Sequence, residues 1–284
     1  MVHKFGHMLG LPDLHDLKYA DPEQDSAGIG YWGLMAHGTR GWFEKGGPNP
    51  FSAWSLEQLD WIGLDNEDLV VVEESLDNVV FEDVNTGGKV YKVPSKTSFL
   101  YYLVEHRRAG TSYYERDLPA DGLLVWRVDT LQRTNQVESE KRVDLVCADG
   151  LYDDAGYPFG RESAPEHGRD NLDFWAHEED YRADHRGNLG DATDIFDGVR
   201  FKEFSVITNP VVRGGINISG IRRDGEAMIA DVHLDDIRRA GPILANQVWT
   251  DTIDVIGDVT IGVGTQVAVR PGLTCPHLCI HIQS

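Results

Sequence analysis

The sequence predicts an α+β fold in which strands outnumber helices. Two stretches have the spacing of short helices, one carrying His3 and His7 and one at residues 51–62. Residues 98–108 and 122–129 are apolar, aromatic and β-branched runs bounded by turn residues, which is typical of buried strands. Residues 226–234 alternate between apolar and polar side chains, which indicates a strand with one buried face.

The composition is that of a soluble globular protein with an acidic surface. Of the 284 residues 41% are hydrophobic and 26% are charged, and the formal net charge is -21. This charge argues against a nucleic-acid partner, because a phosphate backbone is bound by clustered Lys and Arg. No apolar run reaches the roughly 18 residues of a membrane span, so we expect none. The three cysteines do not predict a disulfide framework.

The opening stretch has the spacing of a metal site. His3 and His7 lie four residues apart, so an α-helix would place both imidazoles on one face. Gly10 can end that helix in a left-handed conformation, and Pro12 cannot continue it. The chain could then turn and bring Asp13 up as a third ligand. Three protein ligands leave a fourth position open, as in catalytic zinc sites. The alternative is two surface histidines on an ordinary amphipathic helix.

A second segment supports the metal site. Residues 28–42 are glycine-rich and contain one methionine, Met35, in a tight apolar turn. In some zinc peptidases a methionine turn lies beneath the ion as a hydrophobic floor. A lone methionine is usually ordinary core packing. Met35 follows the last predicted ligand by about twenty residues, and this position favours the floor.

These segments together resemble the immune inhibitor A family of secreted bacterial zinc metallopeptidases, peptidase family M-six. The family carries a His-Glu-x-x-His motif followed by Gly-Leu-Pro-Asp and usually Tyr-Asp. This sequence has His3-Lys4-Phe5-Gly6-His7, then Gly10-Leu11-Pro12-Asp13 and His15-Asp16. The family's Trp-x-Leu-Met-x-x-Gly turn matches residues 32–38, and further similar elements follow in order as far as about residue 235.

The resemblance implies a partial zincin or metzincin-like catalytic domain, formed by the zinc helix and the methionine turn. It implies hydrolysis of peptide bonds in other proteins by a zinc-activated water, with zinc as cofactor and a protein or peptide as substrate. It also implies a secreted protein. Because Met1 and Val2 lead directly into the histidine motif, we expect no signal peptide in this chain. We expect the chain to be a fragment that lacks the sheet preceding the histidine helix.

Lys4 is the main departure from the family pattern. It occupies the general-base position, where the family's glutamate takes a proton from the zinc-activated water. A protonated lysine cannot accept a proton, and its charge disfavours a nearby dication. A neutral lysine is a conceivable base, yet its shape differs from that of glutamate. The sequence therefore predicts an impaired metallopeptidase, or alternatively a non-catalytic pseudopeptidase that serves as a binding or scaffold module.

The sequence divides into three regions. Residues 1–64 form the predicted zinc-helix and methionine-turn part, and residues 65–236 a β-rich continuation. Within the latter, residues 78–93 are predicted as two short strands around an Asn-Thr-Gly-Gly turn. Residues 240–284 resemble the first coil of a parallel β-helix.

Loops rich in aspartate and glycine, between residues 149 and 198, could supply the oxygen ligands that calcium takes. The spacing is not that of an EF-hand, so an ordinary solvated loop is an equal alternative. The candidate calcium ligands are Asp149, Asp153, Asp191, Asp194 and Asp197.

Overall fold

A computed structural model gives the architecture of the chain. Side chains and backbone are described for residues 2–15, 27–42, 45–96, 99–136, 140–148, 189–205, 208, 212, 214–234, 264 and 266–268. Beyond residue 234 the structure also describes the backbone of five strands. Within these described residues, no helix has the length and apolar character needed to cross a bilayer.

The helices are few and short, as the sequence predicts. Helix α1 spans Val2–Met8 and helix α2 spans Ala53–Gln58. The side chain of Ser52 caps α2 by accepting a hydrogen bond from the Ser55 N–H. The described single turns of 3-10 helix are Gly30–Trp32, His37–Arg40, Leu64–Asn66, Val84–Thr86 and Tyr113–Glu115.

A five-stranded sheet divides the protein into two layers of core. Its strand order is β1-β3-β4-β5-β6, with β1 and β3 parallel and the other pairs antiparallel. The strands are β1 (Leu69–Val71), β3 (Val90–Pro94), β4 (Leu100–Arg107), β5 (Gly122–Asp129) and β6 (Val143–Leu145).

The central strands are buried on both faces, which explains their uninterrupted apolar sequence. Leu103 and Trp126 point into a core that also holds α2 and the methionine turn, whereas Val104 and Val125 point into a second core. Neighbouring residues of a strand face opposite sides, so a strand between two cores needs apolar residues at consecutive positions. The predictions for residues 98–108 and 122–129 are therefore confirmed.

The second core is closed by a three-stranded antiparallel sheet in the order β2-β8-β7. Strand β2 spans Leu76–Phe81, β7 spans Asn217–Asp224 and β8 spans Ala227–His233. Met228, Ala230 and Val232 are buried on one face of β8, as the alternating pattern predicts. The two strands predicted around residues 78–93 exist, but they belong to different sheets, so β2 does not pair with β3.

The strands that the structure describes after residue 237 pair in parallel and alternate between two sheets. Strands β9 (Arg238–Ile243), β11 (Asp254–Ile261) and β13 (Ile280–Ile282) form one sheet, and β10 (Gln247–Trp249) pairs with β12 (Val267–Val269) in the other. Parallel pairing of every second strand is the arrangement of a winding coil, in which each turn stacks on the next. The pairing continues past the first coil. The division into three regions stays a prediction.

The two-core arrangement predicts a large cost for truncating Leu103, which is fully buried on β4. We expect Leu103→Ala to lower the free energy of unfolding by about 2–5 kcal/mol, through lost burial and an unfilled cavity. Val80→Ala is the control, because Val80 is 50% exposed on β2 and its change should cost within about 0.5 kcal/mol. Urea unfolding measures both. Equal effects would contradict a sheet buried on both faces.

Candidate metal centre

Helix α1 ends in a turn that folds the chain back beneath it. The Gly10 N–H donates to the His7 carbonyl at 3.0 Å, and the Leu11 N–H donates to the Gly6 carbonyl at 3.1 Å. This pair of bonds is a Schellman motif, which requires a left-handed residue after the helix. Gly10 has a φ of +94° and meets that requirement without strain. The turn carries Asp13 back toward the helix.

The side chains of His3, His7 and Asp13 converge at the end of this turn. The Nε2 atom of His3 lies 2.8 Å from Oδ1 of Asp13, and the Nε2 atom of His7 lies 3.2 Å from the same oxygen. Candidate ligand atoms of the three residues all fall within 4.8 Å of one another. Among the described residues, no other group of three His, Cys, Asp or Glu side chains satisfies this distance.

Backbone carbonyls determine which nitrogen of each ring faces Asp13. His3 donates from Nδ1 to the Leu34 carbonyl at 2.8 Å, and His7 donates from Nδ1 to the Leu11 carbonyl at 2.9 Å. A carbonyl oxygen only accepts, so each Nδ1 carries a proton. In a neutral ring the Nε2 atom then presents a lone pair, and both lone pairs face a carboxylate oxygen. A second proton on each ring, or one metal cation, would remove this repulsion.

The donor set fits zinc. Imidazole nitrogen and carboxylate oxygen are zinc ligands, and three protein ligands leave one position for water or substrate. Histidines that bind a metal through one nitrogen usually donate from the other to a carbonyl or carboxylate, which fixes the tautomer. His3 and His7 both have this support.

Met35 packs against α1 and against the segment that follows Asp13. Its side chain is fully buried, and it sits in the turn at residues 34–36. Gly6 is the buried residue of α1, and a Cβ atom added there would lie 2.4 Å from the Met35 sulfur. The Leu14 N–H donates to the Met35 carbonyl at 2.8 Å. The absence of a side chain at Gly6 therefore allows the helix to sit directly on Met35.

Two buried ionisable side chains hold the segment before Met35, and the sequence predicts neither role. Arg107 on β4 donates to the carbonyls of Trp32 and Phe51 at 3.3 and 3.0 Å, and it pairs with Glu105 at 2.8 Å. Asp194 accepts from the Trp32 indole N–H at 2.6 Å. The available signal for Arg107 is a Glu-x-Arg pattern inside a buried strand, where charged residues need partners.

Lys4 is exposed on α1, one residue after His3 and three before His7. Residues three apart on a helix are neighbours on its surface, so Lys4 lies beside the His7 position. Its neighbours Val2, Phe5 and Met8 are also exposed, with 48%, 53% and 81% of their surface accessible. This face of α1 is therefore open to solvent.

The sequence does not predict a role for His15 or His37 beside the three candidate ligands. The Nε2 atom of His15 lies 3.6 Å from Oδ1 of Asp13, and its side chain is 10% exposed. The rings of His15 and His37 are 4.9 Å apart. The sequence does place a histidine two residues after Asp13, at a position where the immune inhibitor A family usually has tyrosine.

The predicted calcium ligands are only partly within the described residues. Asp149 and Asp153 lie outside them. Asp191 Oδ1 accepts from the backbone N–H and the hydroxyl of Thr193, both at 2.6 Å. Asp197 Oδ1 accepts from the backbone of residues 199–201, and these donors lower the pKa of Asp197 although its partial burial opposes them. Calcium binding by these loops stays a prediction.

The contact between Gly6 and Met35 predicts non-additive stability effects. We expect Gly6→Ala to cost about 1–3 kcal/mol in free energy of unfolding, because its methyl group would displace a buried side chain. The same change in a Met35→Ala background should cost much less, because the clashing sulfur is gone. Denaturant unfolding of the four chains gives the coupling energy. Additive costs would contradict the close packing of α1 on Met35.

Two buried carboxyl groups predict a pH dependence. Burial, aided by the charge of Asp191, raises the pKa of Asp194 to about 7, and burial likewise raises the pKa of Glu115 to about 7. Both folded-state pKa values lie above the ordinary ones. The two groups therefore contribute their full amount to the free energy of unfolding below about pH 4, and this contribution is lost as the pH rises through 7. The loss is about 1.4 kcal/mol per pH unit for each group.

Asp194→Asn should therefore make the free energy of unfolding fall less steeply between about pH 5 and 7, with a slope smaller by the equivalent of roughly one proton. Adding Glu115→Gln should reduce the slope by the equivalent of a second proton. Urea unfolding at several pH values provides the measurement. A slope unchanged by either substitution would show that these carboxyl groups do not titrate there.

The part of the chain that contains the site is similar to a peptidase family. Residues 1–66 match the family model described as immune inhibitor A peptidase M6, catalytic domain. The match includes α1, the turn carrying Asp13, the Met35 turn and α2. No curated protein and no solved structure matched the chain.

Proposed function

We propose that the chain is a zinc-dependent metallopeptidase-like protein whose catalysis is impaired by Lys4. His3, His7 and Asp13 would be the zinc ligands, and Met35 the hydrophobic floor. The observation that carries the proposal is the convergence of two Nε2 atoms on one carboxylate oxygen, with both Nδ1 atoms committed to carbonyls. The family match over residues 1–66 supports the reaction class, which is hydrolysis of peptide bonds.

The chain's own residues prepare the site before any substrate arrives. The carbonyls of Leu34 and Leu11 hold the two rings with Nε2 toward Asp13. Zinc bound there would polarise a peptide carbonyl and lower the pKa of water. The remaining requirement is a group that takes a proton from the attacking water and returns it to the leaving amine. General acid–base catalysis of this kind contributes roughly a hundred- to ten-thousand-fold.

Lys4 does not meet that requirement in its charged form. An ammonium group has three donors and no acceptor, so it cannot take a proton. Lys4 is exposed on α1. Its positive charge beside His7 also opposes a dication. We therefore infer zinc binding weaker than glutamate at this position would allow, together with slow hydrolysis.

The second candidate is a non-catalytic binding or scaffold module built on the same fold. Lys4 favours it, and so does the open apolar face of α1 formed by Val2, Phe5 and Met8. In both cases the partner would be a protein or peptide, and the net charge of -21 disfavours a nucleic acid. Secretion follows from the family resemblance alone.

Metal binding tests the ligand assignment. We expect the purified chain to retain about one zinc ion after dialysis, and the double change His3→Ala with His7→Ala to abolish it, because two of three ligands are lost. His233→Ala is the control, since His233 contacts Asp77 far from this turn in sequence. Metal analysis with isothermal titration gives stoichiometry and affinity. Zinc content unaffected by the double change would rule out this site.

Proton transfer tests the role of Lys4. We expect Lys4→Glu to hydrolyse casein at least about a hundredfold faster than Lys4→Gln, because only the carboxylate can act as base. Glutamine has the size of glutamate without its basicity, so it separates proton transfer from removal of the positive charge. Equal rates in the two variants would contradict the general-base argument. If no variant cleaves casein while all bind zinc, restoring the base is not sufficient for hydrolysis, and the result favours the binding module.

A further inference from the structure

His15 is a third histidine whose Nε2 atom faces the metal cluster. It follows Asp13 by two residues, and the described turn holds its side chain 10% exposed. Its Nε2 atom lies 3.6 Å from Oδ1 of Asp13, the oxygen that His3 and His7 also face. Its ring centroid is 6.2 Å from that of His3. Three imidazoles therefore surround one carboxylate oxygen.

The distance between His15 and Asp13 distinguishes two possible roles. A hydrogen bond from the ring to the carboxylate would need about 2.7–3.2 Å, so at 3.6 Å His15 does not support Asp13 in that way. Two ligands of one tetrahedral zinc ion lie about 3.4 Å apart, given metal–ligand distances near 2.1 Å. The three nitrogen-to-oxygen distances of 2.8, 3.2 and 3.6 Å lie on either side of that value.

We propose that His15 is a fourth zinc ligand that closes the site in the resting protein. This inference rests on the proposed zinc site of His3, His7 and Asp13. His15 is not in the group whose donor atoms all lie within 4.8 Å of one another, so binding one ion with His3 and His7 would require its side chain to move toward them. Three imidazoles and one carboxylate would then supply four ligands.

Closure changes what the site can do. Structural zinc sites have four protein ligands, whereas catalytic sites keep one position for water or substrate. A water molecule or a peptide carbonyl must therefore displace His15 before it contacts the ion. Both Lys4→Glu and Lys4→Gln contain His15, so the ratio of their hydrolysis rates still reports the effect of the base alone. The closed site adds a second obstacle to hydrolysis, separate from the missing base.

The test uses the full chain loaded with cobalt in place of zinc, because the visible absorption of cobalt reports its coordination. Azide binds an open position and changes this absorption. We expect the unmodified chain to show the intense absorption of four-coordinate cobalt and no response to azide. His15→Gln should respond to azide and should also lose more zinc affinity than the 10- to 100-fold that removal of a supporting residue costs. His37→Gln is the matched control, because its ring neighbours His15.

Each outcome decides the question. An azide response of the unmodified chain equal to that of His15→Gln would overturn the fourth ligand while leaving the three-ligand site intact. A chain that binds no cobalt or zinc would overturn the proposed function itself. If His15→Gln does not fold, as judged by circular dichroism, the azide titration of the unmodified chain alone decides between an open and a closed site.

Discussion

The convergence of imidazole nitrogens on Oδ1 of Asp13 is the interaction on which the rest of the site depends. Helix α1 has seven residues, whereas an isolated helix needs about 12–15 residues to be marginally stable. Only Gly6 of this helix is buried. Its position is therefore set by contacts outside the helix. These are the Schellman turn at Gly10, the bond from His3 to the Leu34 carbonyl, and the contact of Gly6 with Met35.

The segment before Met35 is held in its place by ionisable side chains buried deeper in the molecule. Arg107 contacts Trp32 from the central sheet, and Asp194 contacts Trp32 although it lies 162 residues further along the chain. A buried charge without a partner is costly, so these residues lie where carbonyl or N–H groups receive them. The five-stranded sheet thus supports the site on one face and packs against the second sheet on the other.

Local rules are sufficient to predict several elements of the fold and the approach of Asp13 to His3 and His7. The spacing of His3 and His7, with Gly10 and Pro12 behind them, predicts a helix followed by a turn back to Asp13. Apolar runs and alternation predict the two central strands and β8. Each of these signals is contained within about fifteen residues of sequence, where helix and strand geometry determines which side chains share a face.

The remaining contacts join residues that are distant in sequence. Arg107 and Trp32 are 75 residues apart, and Asp194 and Trp32 are 162 apart, so no local period reveals them. The same limitation explains why β2 and β3 read as strands around one turn although they join different sheets. His15 is harder to predict for another reason. No spacing rule distinguishes a metal ligand from a buried histidine, and the approach of His15 to Asp13 is visible only in the structure.

The tautomers of His3 and His7 test the central claim most directly. Nitrogen-15 NMR of the imidazole rings, recorded with and without zinc, distinguishes a protonated Nδ1 from a protonated Nε2. We predict that both rings carry the proton on Nδ1, and that zinc shifts the Nε2 resonances while the Nδ1 protons remain. Rings that carry a proton on Nε2 and none on Nδ1 in the apo chain, or Nε2 resonances that zinc does not move, would contradict a metal centre built on Asp13.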